Sequence, residues 1–137
     1  ADYWTHWLSF PERSEHLPGI FHVNWFRQNE DGDFLWPGFG ENLRVLEWII
    51  ERCEGRADAE ETAIGYLPHT SDINTNNLDI QPETLDELLT VDTEQWRAEM
   101  ASVLEYLESY GDRLPEELKR QQKMIADALD ASLAKAS

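Results

Sequence analysis

Residues 21–49 read FHVNWFRQNEDGDFLWPGFGENLRVLEWI and carry the densest structural information in the chain. The apolar run at residues 20–26, although interrupted by a histidine and an asparagine, predicts a β-strand. Asp31 and Gly32 form a turn signal, and a second apolar run begins at Phe34. An apolar run, a turn and another apolar run together predict a β-hairpin.

A loop rich in proline and glycine follows, in which Gly38 and Gly40 flank Phe39. Such a loop permits a tight backbone and presents the phenylalanine between the two glycines. A helix is predicted from Glu41 onward, because apolar side chains recur there at helical spacing. The side chains expected on its inward face are Leu43, Leu46, Ile49, Ile50 and Cys53, the cysteine as a small buried hydrophobe.

The second half of the chain is predicted to form three helices. The first begins at Pro82, the second begins at Asp92 with Gln95 in a capping box and stops by Gly111, and the third opens at Pro115. Their apolar faces comprise Leu85, Leu88 and Leu89; Trp96, Met100, Val103, Leu104 and Leu107; and Leu118, Ile125, Leu129 and Leu133. The recurrence of these side chains every three or four residues is typical of amphipathic helices.

Aromatic residues and charge are unevenly distributed. Eleven of the 15 aromatic residues lie in residues 1–50, and residues 112–137 carry five acidic and five basic side chains, so the net charge resides upstream of them. A polar run at residues 70–77 separates the two halves. We therefore divide the chain into an aromatic part, residues 1–69, and a helical part, residues 78–135.

The charge of the chain restricts its partners. It has 137 residues, with 11 Lys+Arg against 28 Asp+Glu and a formal net charge of −17. This charge repels nucleic acids and anionic membranes, so neither is an expected partner. No segment reaches the roughly 20 apolar residues that cross a bilayer, and one cysteine cannot form an internal disulfide. We expect a cytoplasmic protein, and a chain that opens on Ala1 is expected to have been processed or cut.

The sequence offers no convincing catalytic centre or metal site. The four histidines lie far apart, without the H-x-x-x-H or H-E-x-x-H spacing of metal ligands. Gly38 and Gly40 are not followed by a lysine, and the chain has no G-x-x-x-x-G-K-[ST] phosphate loop. The many carboxylates are interpreted as a solvated acidic surface. We therefore assign no catalytic residue and no metal ligand.

One cluster is a candidate binding site. Within 15 positions the chain carries Trp25, Phe26, Phe34, Trp36 and Phe39. Rings at this density suit a flat ligand, since a nucleobase gains roughly 1 to 3 kcal/mol by stacking on an aromatic side chain. Asn42 follows, and its amide supplies donors and acceptors for the edge of a base. Composition alone favours the alternative that these rings pack in the core. The Pro-Gly-Phe-Gly setting instead favours rings that are exposed and can contact a ligand.

These motifs also resemble a known family. FHVNWFR at residues 21–27 and FLWPGFGEN at residues 34–42 are closely similar to the C-terminal region of the GTP-dependent phosphoenolpyruvate carboxykinases. The similarity extends to TAIGYLP at residues 62–68 and GDRLP at residues 111–115. It covers nearly the whole chain and is weakest at residues 70–90 and after residue 116.

The resemblance implies an activity and a site. The family decarboxylates oxaloacetate and phosphorylates the enolate with GTP, giving phosphoenolpyruvate, GDP and carbon dioxide in gluconeogenesis, with manganese at the active site and magnesium on the nucleotide. Guanine lies among aromatic rings of this region in the family. The residues of this chain that the resemblance assigns to GTP or GDP are Trp25, Phe26, Phe34, Phe39 and Asn42. The implied fold is α+β, mostly helical with a short β-hairpin, within a mixed α/β nucleotide-binding domain.

The chain also departs from the family pattern. Leu43 stands where serine is common, and Ala63 replaces a proline, but neither belongs to the base-binding set. The phosphate loop, the metal ligands and the oxaloacetate-binding arginine of the family are missing, so oxaloacetate and phosphoenolpyruvate are expected to bind outside this chain. We expect the chain to be catalytically inactive alone and, through exposed apolar surface, to self-associate, whereas the parent enzyme is expected to be a monomer.

An alternative function is a non-enzymatic, acidic helical module that binds a partner through the aromatic cluster or the helix containing Trp96. Composition and periodicity permit this alternative. The order of residues in NWF and FLWPGFGEN favours the enzyme, because a partner-binding module does not require that order.

Overall fold

The computed structural model describes residues 2–136, which form six α-helices and a two-stranded sheet. The elements are α1 (Tyr3–Leu8), α2 (Phe10–Arg13), α3 (Asn42–Cys53), β1 (Glu60–Thr62), β2 (Gly65–Leu67), α4 (Pro82–Leu89), α5 (Thr93–Glu108) and α6 (Glu116–Ala136). By packing, residues 19–90 form one unit, the central unit, and the described residues before and after it form a second, the terminal unit. None of the helices within residues 2–136 has the length and apolar character needed to cross a bilayer.

The central unit is built around four buried side chains, Trp36, Trp48, Ile73 and Leu85. Around them pack the partly buried side chains of Trp25, Val45, Ile49, Ala57, Ala59, Leu78, Ile80, Leu88 and Leu89. Removing such apolar surface from water stabilises a fold by about 25 cal/mol per Å². The predicted helix that begins at Pro82 is confirmed as α4, and its leucines face this core as expected.

The strand predicted at residues 20–26 is wrong. In the described part of the chain, this segment takes part in no strand, and the expected hairpin is reduced to a single bridge between Gln28 and Phe34. Asn24 gives one physical reason, because its Oδ1 accepts a hydrogen bond from the backbone N–H of Phe26 at 3.0 Å. A side chain that binds the nearby backbone in this way competes with strand pairing.

An antiparallel hairpin lies instead at β1 and β2, which pair Glu60 with Leu67 and Thr62 with Gly65. Gly65 has a φ of 127°, and the Thr62 hydroxyl donates to its carbonyl oxygen at 2.6 Å. Strands of three residues are too short to give a clear alternating pattern, so the sequence did not reveal them. A mostly helical α+β fold with a short hairpin is nevertheless confirmed.

The inward face predicted for α3 is largely wrong. Trp48 is the buried residue of this helix, and Val45 and Ile49 pack beside it, so only Ile49 lies where it was expected. The side chains predicted inward that are instead exposed are Leu43, Leu46, Ile50 and Cys53. Both sets follow helical spacing, and burial of the large Trp48 ring favours the face that contains it, because an aromatic side chain buries more apolar area than a leucine.

The terminal unit contains the α5–α6 pair predicted from the sequence. Asp92 caps α5 by accepting a hydrogen bond from the Gln95 backbone N–H at 3.0 Å, which confirms the predicted start. Met100 of α5 is buried, and Leu129 of α6 is fully buried. The Gln122 side chain donates to the Met100 carbonyl oxygen at 2.8 Å and so satisfies a buried polar group between the helices.

Candidate functional site

The loop before α3 presents Phe39 to solvent, as the sequence predicted. Phe39 is 91% exposed, the most exposed large apolar side chain among the described residues. Gly38, immediately before it, has φ 135° and ψ −178°, a conformation essentially restricted to glycine. A 3₁₀ turn, Phe39–Glu41, then leads directly into α3.

Phe26 and Phe34 form a second exposed element of the site. They are 73% and 59% exposed, and their rings lie 6.1 Å apart between centroids at an angle of 66°. The bridge between Gln28 and Phe34 brings the two rings together across the turn. An edge-to-face pair of this kind leaves apolar surface available to a flat ligand.

The turn that joins these rings is held by one asparagine. The Asn29 side-chain oxygen accepts hydrogen bonds from the backbone N–H groups of Asp31 at 3.0 Å and Asp33 at 2.9 Å. Gly32 has a φ of 86°, and its N–H donates to the Asn29 carbonyl oxygen at 3.1 Å. The turn signal read from the sequence is therefore confirmed, although long strands do not flank it.

The two tryptophans of the cluster pack inward. Trp36 is 6% exposed and belongs to the core, and the partly buried Trp25 packs against it with ring centroids 6.0 Å apart. The five aromatic residues therefore divide between the two alternatives that the sequence left open. The phenylalanines are displayed, and Trp36 is core.

Asn42, the first residue of α3, connects the displayed loop to this core. Its side-chain oxygen accepts a hydrogen bond from the indole N–H of Trp36 at 2.9 Å. The sequence placed Asn42 beside the aromatic cluster but gave no sign of this contact. The sequence feature nearest to this contact is the position of Asn42 at the start of the predicted helix, six residues after Trp36.

Two arginines hold the segments of the site in place. Arg44 donates through Nε to the Glu41 carboxylate at 2.6 Å and through Nη1 to the Asn74 carbonyl oxygen at 2.6 Å. Arg27 donates to the Leu88 carbonyl oxygen at 3.2 Å, which ties the turn region to α4. Hydrogen bonds from charged donors are among the stronger ones in proteins.

An open groove of about 570 Å³ runs along the exposed face of α3. Its lining includes Gly40 and Glu41 at the end of the displayed loop, and Leu46 and Ile50 further along the helix. The displayed phenylalanines do not line it. Within the described residues, the candidate site is therefore a set of exposed aromatic side chains rather than an enclosed pocket. We call this set, Phe26, Phe34 and Phe39, the aromatic surface; Phe26 and Phe34 are in ring contact with each other.

The described residues contain no arrangement suited to a metal ion. Within residues 2–136, no three histidine, cysteine, aspartate or glutamate side chains converge as a metal site would require. Oxygen- or nitrogen-bound divalent metals need several such donors at short range. What this arrangement can do chemically is stack and hydrogen-bond a planar group.

Comparison with known proteins identifies relatives of the chain. The family described as "Phosphoenolpyruvate carboxykinase C-terminal P-loop domain" matches residues 1–128. Proteins named phosphoenolpyruvate carboxykinase [GTP] are similar over 94% of this chain in Chlamydia pneumoniae, at 53% identity, and in Arthrobacter sp. (strain FB24), at 46% identity. The relative from Treponema pallidum (strain Nichols) is 42% identical over 96% of the chain. The chain spans 21 to 22% of the length of these three relatives.

Proposed function

This chain belongs to the phosphoenolpyruvate carboxykinase family, and from that premise we propose that its exposed phenylalanines and Asn42 bind the guanine base of GTP and GDP. The observation that carries the proposal is the display of Phe26, Phe34 and Phe39 beside a buried tryptophan core. Exposed aromatic rings are unfavourable in water, and a stacked base would cover them. Trp25, which the family resemblance also assigns to the nucleotide, is partly buried and packs against Trp36.

The isolated chain is expected to bind nucleotide weakly. Stacking contributes roughly 1 to 3 kcal/mol per base, while a protein of charge −17 repels the phosphates. A total of about −4 kcal/mol corresponds to a dissociation constant in the millimolar range. The guanine preference would come from Asn42, because an amide can distinguish the edges of guanine and adenine by donor and acceptor pattern.

The activity of the full-length protein is part of the same proposal. We propose that this protein cleaves carbon dioxide from oxaloacetate and transfers a phosphoryl group from GTP to the enolate oxygen, giving phosphoenolpyruvate and GDP for gluconeogenesis. Its similarity to proteins named phosphoenolpyruvate carboxykinase [GTP] supports this proposal. The described residues do not fit the manganese and magnesium that this reaction uses in the family. The 137-residue chain alone should therefore form no phosphoenolpyruvate.

A titration of tryptophan fluorescence tests the base site. GTP and GDP should quench the emission at millimolar concentrations, and ATP at equal absorbance should not. Phe39→Ala should abolish the quenching by GTP and GDP, because it removes the most exposed ring on which the base would stack. Phe10→Ala, the same change in the terminal unit, is the matched control and should preserve it.

Two results would contradict the proposal. Equal quenching by GTP and ATP would mean that the base is not recognised, and phosphoenolpyruvate formation by the purified chain from oxaloacetate, GTP and manganese would mean that the catalytic residues lie within it.

A further inference from the structure

The hydrogen bond between Trp36 and Asn42 fixes the orientation of an amide. An indole N–H can only donate, so the atom of Asn42 that faces it must be the side-chain oxygen. The distance from Trp36 Nε1 to Asn42 Oδ1 is 2.9 Å, which is normal for such a bond. The Asn42 NH₂ group is therefore directed away from the indole nitrogen.

The NH₂ group of Asn42 is available to a ligand. No acceptor among the residues that the structure describes takes a hydrogen bond from it, and Asn42 is partly exposed. An NH₂ group donates to a carbonyl oxygen such as O6 of guanine, and it meets another donor at the 6-amino group of adenine. The orientation of this amide therefore matters to base preference.

Trp36 itself cannot easily move to release the amide. It is 6% exposed, it belongs to the core of the central unit, and its ring packs against Trp25. Rotating the Asn42 amide would place two donors face to face and leave a buried N–H without an acceptor, which is unfavourable. The indole N–H of Trp48, in the same core, has no hydrogen-bond acceptor among the described residues. The two buried tryptophans of this core therefore differ, since only the indole N–H of Trp36 is bonded to Asn42.

We propose that Trp36 is a positioning residue that sets base selectivity: by holding Oδ1 of Asn42, it presents the amide NH₂ to purines with a carbonyl at position 6 and disfavours purines with an amino group there. This inference rests on the proposed binding of guanine by the aromatic surface. It adds a buried residue that does not touch the ligand and acts through Asn42.

The test compares base selectivity rather than affinity. Dissociation constants for GDP, IDP and ADP are measured by ¹H–¹⁵N NMR titration of the full 137-residue chain. IDP shares O6 and N1–H with GDP but lacks the 2-amino group of guanine, so it separates recognition of the N1–C6 edge from recognition of the 2-amino group. The unchanged chain should bind GDP and IDP more tightly than ADP. Trp36→Phe keeps a ring in the core but removes the N–H, and it should lower both the GDP/ADP and the IDP/ADP preference roughly three- to tenfold.

Two further variants make the test decisive. Trp96→Phe, the same substitution in α5, should leave both preferences unchanged. Asn42→Asp keeps an oxygen that accepts the hydrogen bond from Trp36 but has no NH₂ group, so this variant should bind ADP more tightly than GDP and IDP. It provides the test of the amide if Trp36→Phe does not fold.

The outcomes separate this inference from the proposed function. If the unchanged chain shows no preference for GDP over ADP, the proposed guanine site fails. If that preference is present but Trp36→Phe weakens all three nucleotides equally, or if folded Asn42→Asp keeps the original preference, the positioning role of Trp36 is overturned while the guanine site stands.

Discussion

Gly38 shows how one residue sets the geometry of the candidate site. Its φ of 135° and ψ of −178° turn the chain so that Phe39 extends into solvent at the start of the 3₁₀ turn. A Cβ atom on Gly38 would meet no heavy atom within 4 Å, so the restriction comes from the backbone and not from crowding. Gly40, two residues on, is equally open but has no positive φ.

This pair gives a matched prediction. Gly38→Ala should lower the free energy of unfolding by about 1–3 kcal/mol, the usual cost of a non-glycine residue in this conformation, and should weaken GDP binding. Gly40→Ala should change the free energy of unfolding by less than about 0.5 kcal/mol. Urea denaturation followed by tryptophan fluorescence measures both. Equal destabilisation by the two substitutions would contradict the assigned role of the Gly38 backbone.

The sequence predicted the exposure of Phe39 but not the hydrogen bond between Trp36 and Asn42. Proline and two glycines around Phe39 are local signals, and they predicted its exposure correctly. The hydrogen bond from Trp36 to Asn42 depends on how the core closes around the indole ring. Apolar spacing carries no information about which polar atom a buried ring will meet, so this contact required the structure.

At the scale of elements, capping residues predicted helices better than apolar faces did. Pro82 and the Asp92–Gln95 pair act within one turn of the chain, and α4 and α5 begin where these residues indicate. The orientation of α3 depends on packing against distant segments, and two of its faces are apolar. The face with Trp48 is the buried one, which the spacing of smaller residues did not reveal.

The first turn of α6 contains a carboxylate whose acidity can be tested. Arg120 donates to the Glu117 carboxylate at 2.6 and 2.8 Å and Gln121 donates at 2.7 Å, and these bonds lower the pKa of Glu117 from 4.5 to about 2. Because the folded-state pKa is depressed, the stability that this carboxylate contributes is present above pH 4.5 and is lost as the pH falls through about 2.

We expect the side-chain carboxyl carbon of Glu117 to titrate near pH 2 in a ¹³C NMR experiment. Arg120→Gln should raise the pKa of Glu117 towards its ordinary value, because it removes the first cause of the shift. Lys123→Gln is the control, since Lys123 pairs with Asp127 instead. An unshifted titration of Glu117 in the unchanged chain would show that these bonds do not persist in solution.

At the scale of the whole chain, packing joins segments that are far apart in sequence. The terminal unit combines residues before 19 with residues after 90, and the ring of Trp4 lies 4.5 Å from that of Tyr110. The composition of the sequence predicts a different division, into an aromatic part that binds nucleotide, residues 1–69, and a helical part, residues 78–135. That division stays a prediction. Long-range pairing of this kind leaves no periodic trace in a single sequence, whereas charge and aromatic content can be read directly.

The central unit should fold and bind without the rest of the chain. Residues 19–90 contain the whole Trp36–Trp48–Ile73–Leu85 core, the displayed phenylalanines and Asn42. Domains of 55–65 residues can fold alone, although their stability is marginal. A protein of residues 19–90 should therefore unfold cooperatively in urea and bind GDP with a dissociation constant within about threefold of that of the full chain, a difference below about 0.7 kcal/mol.

The same protein with Trp48→Ala should lose the cooperative unfolding transition, because removing a buried tryptophan costs about 3–5 kcal/mol. An unfolded central unit, or a folded one that does not bind GDP, would mean that the aromatic surface depends on residues outside it.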